Sequence, residues 1–305
     1  MPPPIRVFFP EFQTEAHRQG WQGARLVAAL AEEGVECQLT VDRHCDAAFV
    51  ASFSTFHDAI HGFRKDPFNR SVLGTKHFPE MPVIHYCWDL YPFKVEGNDE
   101  RWRWDAYRES LRSATAVWVP SACTIRRVCQ YTGRDSSVVL SSCPRWEPPD
   151  GKVWDGGYVV DVLRPYPGDP NVGAVRRTCE ELGITCHELG DHSRTWDEFR
   201  ALIAGASLLV SAAHEASTGG LTLLEGYRLG KPVLLSDSPR HGGRDYFGAR
   251  AVYFRHDDPG DLKDAIQVAM GRSVAADCRQ WVDAHYSDQA FAKRIAAGLR
   301  EVLGG

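Results

Sequence analysis

Ser217, Thr218, Gly219, Gly220, Leu221 and Thr222 form a small, polar run that leads into an apolar stretch carrying one acid, Glu225. Residues of these types at this spacing bind anions. The first N–H groups of a helix have no partner inside it and carry about half a positive charge. Glycines let a phosphate approach that backbone closely. If a helix runs on through residues 223–228, the loop and first turn at 218–222 would cradle a diphosphate. Glu225 then lies about one turn further in, poorly placed for a phosphate and well placed for the hydroxyls of a ribose. The pattern predicts a nucleoside diphosphate. The alternative is a glycine loop that joins a strand to a core helix, with Glu225 solvated.

Other residues offer chemistry of the same kind. Arg164 closes the apolar run 158–163, where a cation would neutralise a departing diphosphate or make a surface ion pair. His85 and Asp89 bracket the end of the run PVIHYCWDL at 82–90. They either line a ligand cleft or serve as a core histidine and a turn cap. Arg244, in HGGRDYF, faces phosphate or acceptor, or sits in a surface loop. The acid cluster HDDPGD at 256–261 resembles a metal site. Asp258 as N-cap, Pro259 at the first helical position and Asp261 in the first turn explain it without a metal, and no metal site is expected. The segment 61–78 mixes Arg64, Lys65, Arg70 and Lys76 with Phe63, Phe68 and Phe78. It reads as a solvated loop in preference to a lipid or nucleic-acid contact.

The frame that must position these residues is an ordinary globular one. The chain has 305 residues, 43% hydrophobic and 25% charged, which suggests two domains of about 150 residues each. The net charge of −5 argues against a dedicated duplex-DNA binder. Nine cysteines without a CxxC pair read as small buried hydrophobes. No run approaches the roughly 18 apolar residues of a spanning helix, and the N-terminus lacks the features of a signal peptide. A cytoplasmic protein is expected, with peripheral attachment at a membrane left open.

Short β-rich runs at 5–9, 39–41, 47–53, 82–88, 116–120 and 137–140 alternate with helical patterns. A Pro-, Gly- and Asp-rich stretch, 143–157, reads as a linker. The alternation then resumes with runs at 158–163, 186–189, 207–211, 233–236 and 251–254. Continuous apolar strands separated by helices indicate parallel sheets covered on both faces. The fold class is therefore α/β, with two doubly wound, Rossmann-like domains facing across a cleft. The boundaries are 1–143 for an acceptor-side domain, 144–157 for the linker and 158–287 for a nucleotide-sugar domain. A last helix, 288–305, packs back toward the first. Ligands in such sheets bind at the carboxyl ends of the strands.

The run 215–237 resembles the signature of the retaining glycosyltransferases of family 4, which have the GT-B fold. Glu225, Gly230, Pro232 and Val233 match its second half. The segment TAVWVPSACTIRRV at 115–128, the strand at 82–90 and the strand-and-helix stretch 251–266 are similar to further parts of that family. The resemblance implies transfer of a sugar from a nucleotide-diphosphate sugar with retention of configuration and with no cofactor or metal. It implies catalytic roles for His85, Arg164 and Glu215. Donor binding would fall to Ser217, Thr218, Gly219, Gly220, Leu221, Thr222 and Glu225. Gly20, Gly23, Asp89 and Arg244 are acceptor or cleft candidates. Three features depart from the family. Ser217 stands where an acid is usual, with Glu215 two residues earlier; residues 165–171 contain no lysine; and the N-terminal glycine pair is reduced to Gly20 with Gly23. The implied acceptor is a glycan, a lipid-linked sugar or a small molecule, with a nucleic acid disfavoured. The alternative is a non-catalytic homologue that binds nucleotide or glycan and supports a partner enzyme.

Overall fold

The computed structural model describes residues 3–9, 18–38, 45–51, 81–87, 108–143, 145–148, 156–162, 169, 171–189, 195–215 and 220–304, with side chains from 25 onward in the first helix. The chain divides into two units. One comprises Met1–Ser142 with Asp288–Gly305, and the other Cys143–Ser287.

The first unit contains β1 (Ile5–Phe8), α1 (Arg18–Glu32), β2 (Val35–Gln38), β3 (Ala47–Ala51), β4 (Val83–Tyr86), β5 (Ala116–Val119), α2 (Ala122–Thr132) and β6 (Ser137–Val138). Its strands lie in the order β2-β1-β3-β4-β5-β6, and every pair is parallel. A parallel sheet must be covered on both faces, and alternate residues of β4 show this. Ile84 and Tyr86 enter one cluster with Leu30 and with Phe291, Ile295 and Leu299 of the last helix. Val83 and Cys87 join clusters on the other face. The last helix, Asp288–Val302, thus belongs to this unit. A Cβ on its Gly298 would come within 2.5 Å of Trp118 Cζ2, so glycine permits this close packing. β2 forms at Val35–Gln38, and the expected run 39–41 lies outside the described residues. Val35 supplies a buried apolar residue directly after the turn at Gly34, where φ is +76°.

The second unit contains β7 (Tyr158–Asp161), α3 (Ala174–Leu182), β8 (Thr185–Glu188), α4 (Trp196–Gly205), β9 (Leu208–Ser211), α5 (Leu221–Arg228), β10 (Val233–Ser236), α6 (Gly243–Phe247), β11 (Val252–Phe254), α7 (Pro259–Met270) and α8 (Cys278–His285); the last helix above is α9. The order β11-β10-β9-β7-β8, all parallel, has one consequence for function. The chain passes from β7 to β8 on one side and returns to β9 on the other. The carboxyl ends of β7 and β9 therefore flank a topological switch point, where α/β sheets bind ligands. Local signals set the helix starts. Thr195 and Glu198 form a reciprocal capping box on α4. Asp258 Oδ1 accepts from Gly260 N at 2.9 Å and Asp261 N at 3.2 Å to cap α7. Among the described residues no helix is long and apolar enough to cross a membrane.

Candidate functional site

Gly220 is the N-cap of α5, with φ +89° and ψ 110°. L side chains rarely adopt a positive φ, so the backbone here asks for glycine. Among the described residues space does not: an added Cβ would meet Leu223 at 3.7 Å and Val162 at 3.9 Å, ordinary contacts. Gly226 serves a different purpose. A Cβ there would collide with Leu209 Cδ1, so its absence lets α5 lie directly on β9. The helix N-terminus is thereby held beside the switch point. Glu225, within α5, is 2% exposed, which overturns the alternative of a solvated acid. Burying a carboxylate is costly unless it is hydrogen-bonded, so its burial marks a constrained position.

A polar cluster surrounds this end of the sheet. Asp169, beyond β7, accepts from Asn171 N at 2.9 Å and from His214 N at 3.2 Å. Asn171 Nδ2 donates to Ala212 O at 2.8 Å and His256 O at 3.3 Å. These bonds tie together the segments that follow β7, β9 and β11. Asp237, one residue past β10, accepts from both the backbone N and the Nδ1 of His256, each at 3.0 Å. A carboxylate only accepts, so His256 Nδ1 carries a proton. Burial works to raise the Asp237 carboxyl, but the His256 hydrogen bonds and nearby charges outweigh it and hold the group below its ordinary value. Arg240 Nη1 donates to Glu215 Oε1 at 2.7 Å.

His241 is buried and fully used. Its Nδ1 accepts from Gly243 N at 3.1 Å, so Nε2 is the protonated nitrogen and donates to Ser211 Oγ at 3.0 Å. Burial pushes its pKa down to about 4. A Cβ on Gly243 would press on this ring and on Leu235. The expected loop contains the short helix α6. Arg244, on α6, lies over the Tyr253 ring, 4.9 Å from its centroid.

The remaining expected residues are distributed unevenly. Leu221 and Thr222 open α5, and Glu215 lies four residues past β9. Arg164, Ser217, Thr218, Gly219 and Asp89 lie outside the described residues. Gly20 and Gly23 fall within α1. His85 lies on β4 of the first unit at 0% exposure, with Nε2 2.7 Å from Ser110 Oγ. Asp169, Asn171, His214, Asp237, Arg240 and His256 were not among the expected site residues. A usable signal did exist: His214, Asp237 and His256 each follow a strand of this unit by three residues or fewer.

No known protein-family model matches the chain, and no curated protein matches it. Solved structures do match, over nearly the whole length. Sucrose-phosphate synthase from Thermosynechococcus elongatus is similar with a TM-score of 0.62 at 13% identity, covering 99% of each chain. Alr3699/HepE from Anabaena, in complex with UDP and glucose, is similar with a TM-score of 0.62 at 12% identity, covering 97% of this chain and 100% of its own. WaaG, a glycosyltransferase involved in lipopolysaccharide biosynthesis, is similar with a TM-score of 0.55 at 12% identity, covering 99% of this chain and 100% of its own. The chain has the GT-B glycosyltransferase fold. At these identities the likeness is one of fold.

Proposed function

We propose that this protein is a retaining glycosyltransferase that moves a sugar from a nucleoside-diphosphate sugar to a glycan, lipid-linked sugar or small-molecule acceptor. The observation that carries the reading is Gly220 capping α5 at the switch point, with Glu225 buried in the same helix. A uridine nucleotide is the first donor to test, because the similar Alr3699/HepE was solved with UDP-glucose.

In this scheme the bond from the sugar's anomeric carbon to the diphosphate oxygen breaks. A bond from the acceptor oxygen to that carbon forms on the same face. The acceptor's proton passes to the leaving diphosphate, so no enzymic nucleophile is needed. Catalysis then comes from positioning and from stabilising the leaving charge. The α5 N-terminus and Arg164 supply that stabilisation, and Glu225 takes the ribose hydroxyls. Glu215, braced by Arg240, accepts from the sugar. The scheme draws on no metal or cofactor.

The test is a thermal-shift comparison followed by turnover. UDP should raise the melting temperature well above what uridine does. Radiolabelled UDP-sugars should then show transfer or slow hydrolysis, and Arg164→Ala should lower that turnover by roughly 10²-fold, as loss of one oxyanion donor does. Equal stabilisation by UDP and uridine would remove the donor-site assignment. Tight UDP binding with neither transfer nor hydrolysis would favour a binding homologue.

A further inference from the structure

His214 stands between β9 and the start of α5, and its two ring nitrogens have different surroundings. Its backbone N–H is fixed by Asp169 Oδ2 at 3.2 Å, and its ring centroid lies 5.0 Å from that of His256 at a tilt of 42°. Nδ1 is buried and makes no hydrogen bond among the described residues. A proton on Nδ1 would be a buried donor without an acceptor among the described residues, and orphaned N–H groups are rarer than under-used acceptors. Nδ1 is therefore bare, and the ring's proton sits on Nε2. The residue keeps partial exposure.

The charges around the ring favour the same state. Burial is the largest influence, followed by His256 and Arg240, and together they hold His214 below the ordinary histidine value against Asp169 and Glu215. Asp169 is occupied by Asn171 N and His214 N, Glu215 by Arg240, and Asp237 by His256. The two carboxylates that act on the ring, Asp169 and Glu215, oppose a phosphate there and admit an uncharged hydroxyl. The neighbouring Glu215 offers only acceptors, so the two side chains make a donor and an acceptor side by side. A sugar hydroxyl is both at once.

We infer that His214 is a binding residue for the sugar part of the donor, giving Nε2–H to a hydroxyl oxygen as a neutral imidazole of one tautomer. The inference rests on the glycosyltransferase reading of the same site. It makes the contact less sensitive to pH than one from an ordinary histidine would be.

The test uses the full chain with ¹⁵N-labelled histidine, UDP and UDP-glucose as probes, and His214→Gln to assign the resonances. The imidazole spectrum should show a bare Nδ1 and a protonated Nε2 from about pH 6 to 8. The Nε2 proton should move on adding UDP-glucose and stay in place with UDP. His214→Ala should weaken UDP-glucose binding about three- to tenfold, the effect of one neutral hydrogen bond, and leave UDP binding within about twofold. His214→Gln should recover most of the loss, because its amide nitrogen can donate from a similar place. A second proton taken up within that pH range overturns the inference, and so does an equal loss of affinity for UDP and UDP-glucose. If both probes bind and the Nε2 proton never moves, this inference fails alone. If neither binds, the glycosyltransferase reading fails and takes it along.

Discussion

The two edges of the second sheet spend their charged residues differently. At the amino ends of β10 and β11, Arg250 donates both Nη nitrogens to Asp277 at 2.9 Å each and lies on the Trp281 ring, 4.5 Å from its centroid. Nearby, Arg228 is 8% exposed. It bonds Asp283 Oδ1 at 2.9 Å and Trp146 O at 3.2 Å. These forks are paired, and they line or neighbour a cavity of about 380 Å3 with Val233 and Val252 in its wall. At the carboxyl ends, Asp169 and Asp237 bind backbone N–H groups of neighbouring loops, beside the Arg240–Glu215 pair. Bidentate and multiply bonded guanidinium groups brace the amino edge, and the carboxyl edge is the one proposed to meet the ligand.

The largest expected effect breaks the scaffold side. Arg228→Ala leaves the partly buried Asp283 to Arg145 alone, 3.3 Å away, and frees the 145–148 segment from α5. Removing one partner of a buried pair costs about 3–5 kcal/mol, and the exposure of Asp283 and Glu147 puts this case at the low end. Urea melts should show the loss, while the nucleotide affinity of the remaining folded protein stays unchanged. A variant of normal stability with weakened nucleotide binding would dissolve the distinction between the two edges.

His241 sharpens the comparison from the carboxyl side, because it is a structural histidine among groups meant for a ligand. Its folded pKa of about 4 lies below the ordinary 6.5, so the unfolded chain binds the extra proton first. The stability it provides is complete above about pH 6.5 and is lost as pH falls toward 4, by up to about 3 kcal/mol. Chemical denaturation at a series of pH values should show this slope, and His241→Gln should flatten it. An unchanged slope in that variant would mean other groups carry the acid sensitivity.

How much of this was legible depends on whether the determinants are local. The start of α7 is written in Asp258 and Pro259, and the start of α4 in Thr195 and Glu198, because a cap acts within three residues. The parallel α/β character follows from continuous apolar strands and is present in both sheets. The polar cluster has no such signature. Asn171 and His256 meet across 85 positions only because the sheet order puts β7, β9, β10 and β11 side by side, and no spacing rule encodes that order. His85 shows the converse. Its strand was readable, but the position of its ring next to Ser110 depends on how the helical stretch at 108–113 covers β4.

Glu225→Gln probes the ligand side at intermediate size. If the carboxylate holds ribose hydroxyls, its loss should weaken a ribonucleotide roughly ten- to a hundredfold, the effect of one charged hydrogen bond. The 2′,3′-dideoxy nucleotide should lose much less. Titration calorimetry of both ligands separates these outcomes, and an equal loss for both would make Glu225 a purely structural residue of α5.

The smallest effect is the sharpest comparison, because it sets one glycine at the carboxyl edge against one at the amino edge of the same helix and strand. Gly220 precedes α5 with φ +89°, and Gly230 follows it with φ +79°. Among the described residues neither position lacks space: an added Cβ meets ordinary contacts at Gly220 and nothing within 4 Å at Gly230. Gly220→Ala and Gly230→Ala therefore differ little in packing, and each should cost about 1–2 kcal/mol from the positive φ alone. Their effects on ligand should diverge. Gly230 turns the chain into β10, away from the switch point, so Gly230→Ala should keep the full rise in melting temperature with UDP. Gly220 sets the direction of the α5 N-terminus, so relaxation of its backbone toward negative φ should turn the first N–H groups off the diphosphate and shrink that rise. Equal nucleotide responses in the two variants would mean the α5 N-terminus is not where the diphosphate sits, and the charge would then have to be met by Arg164 or Arg244.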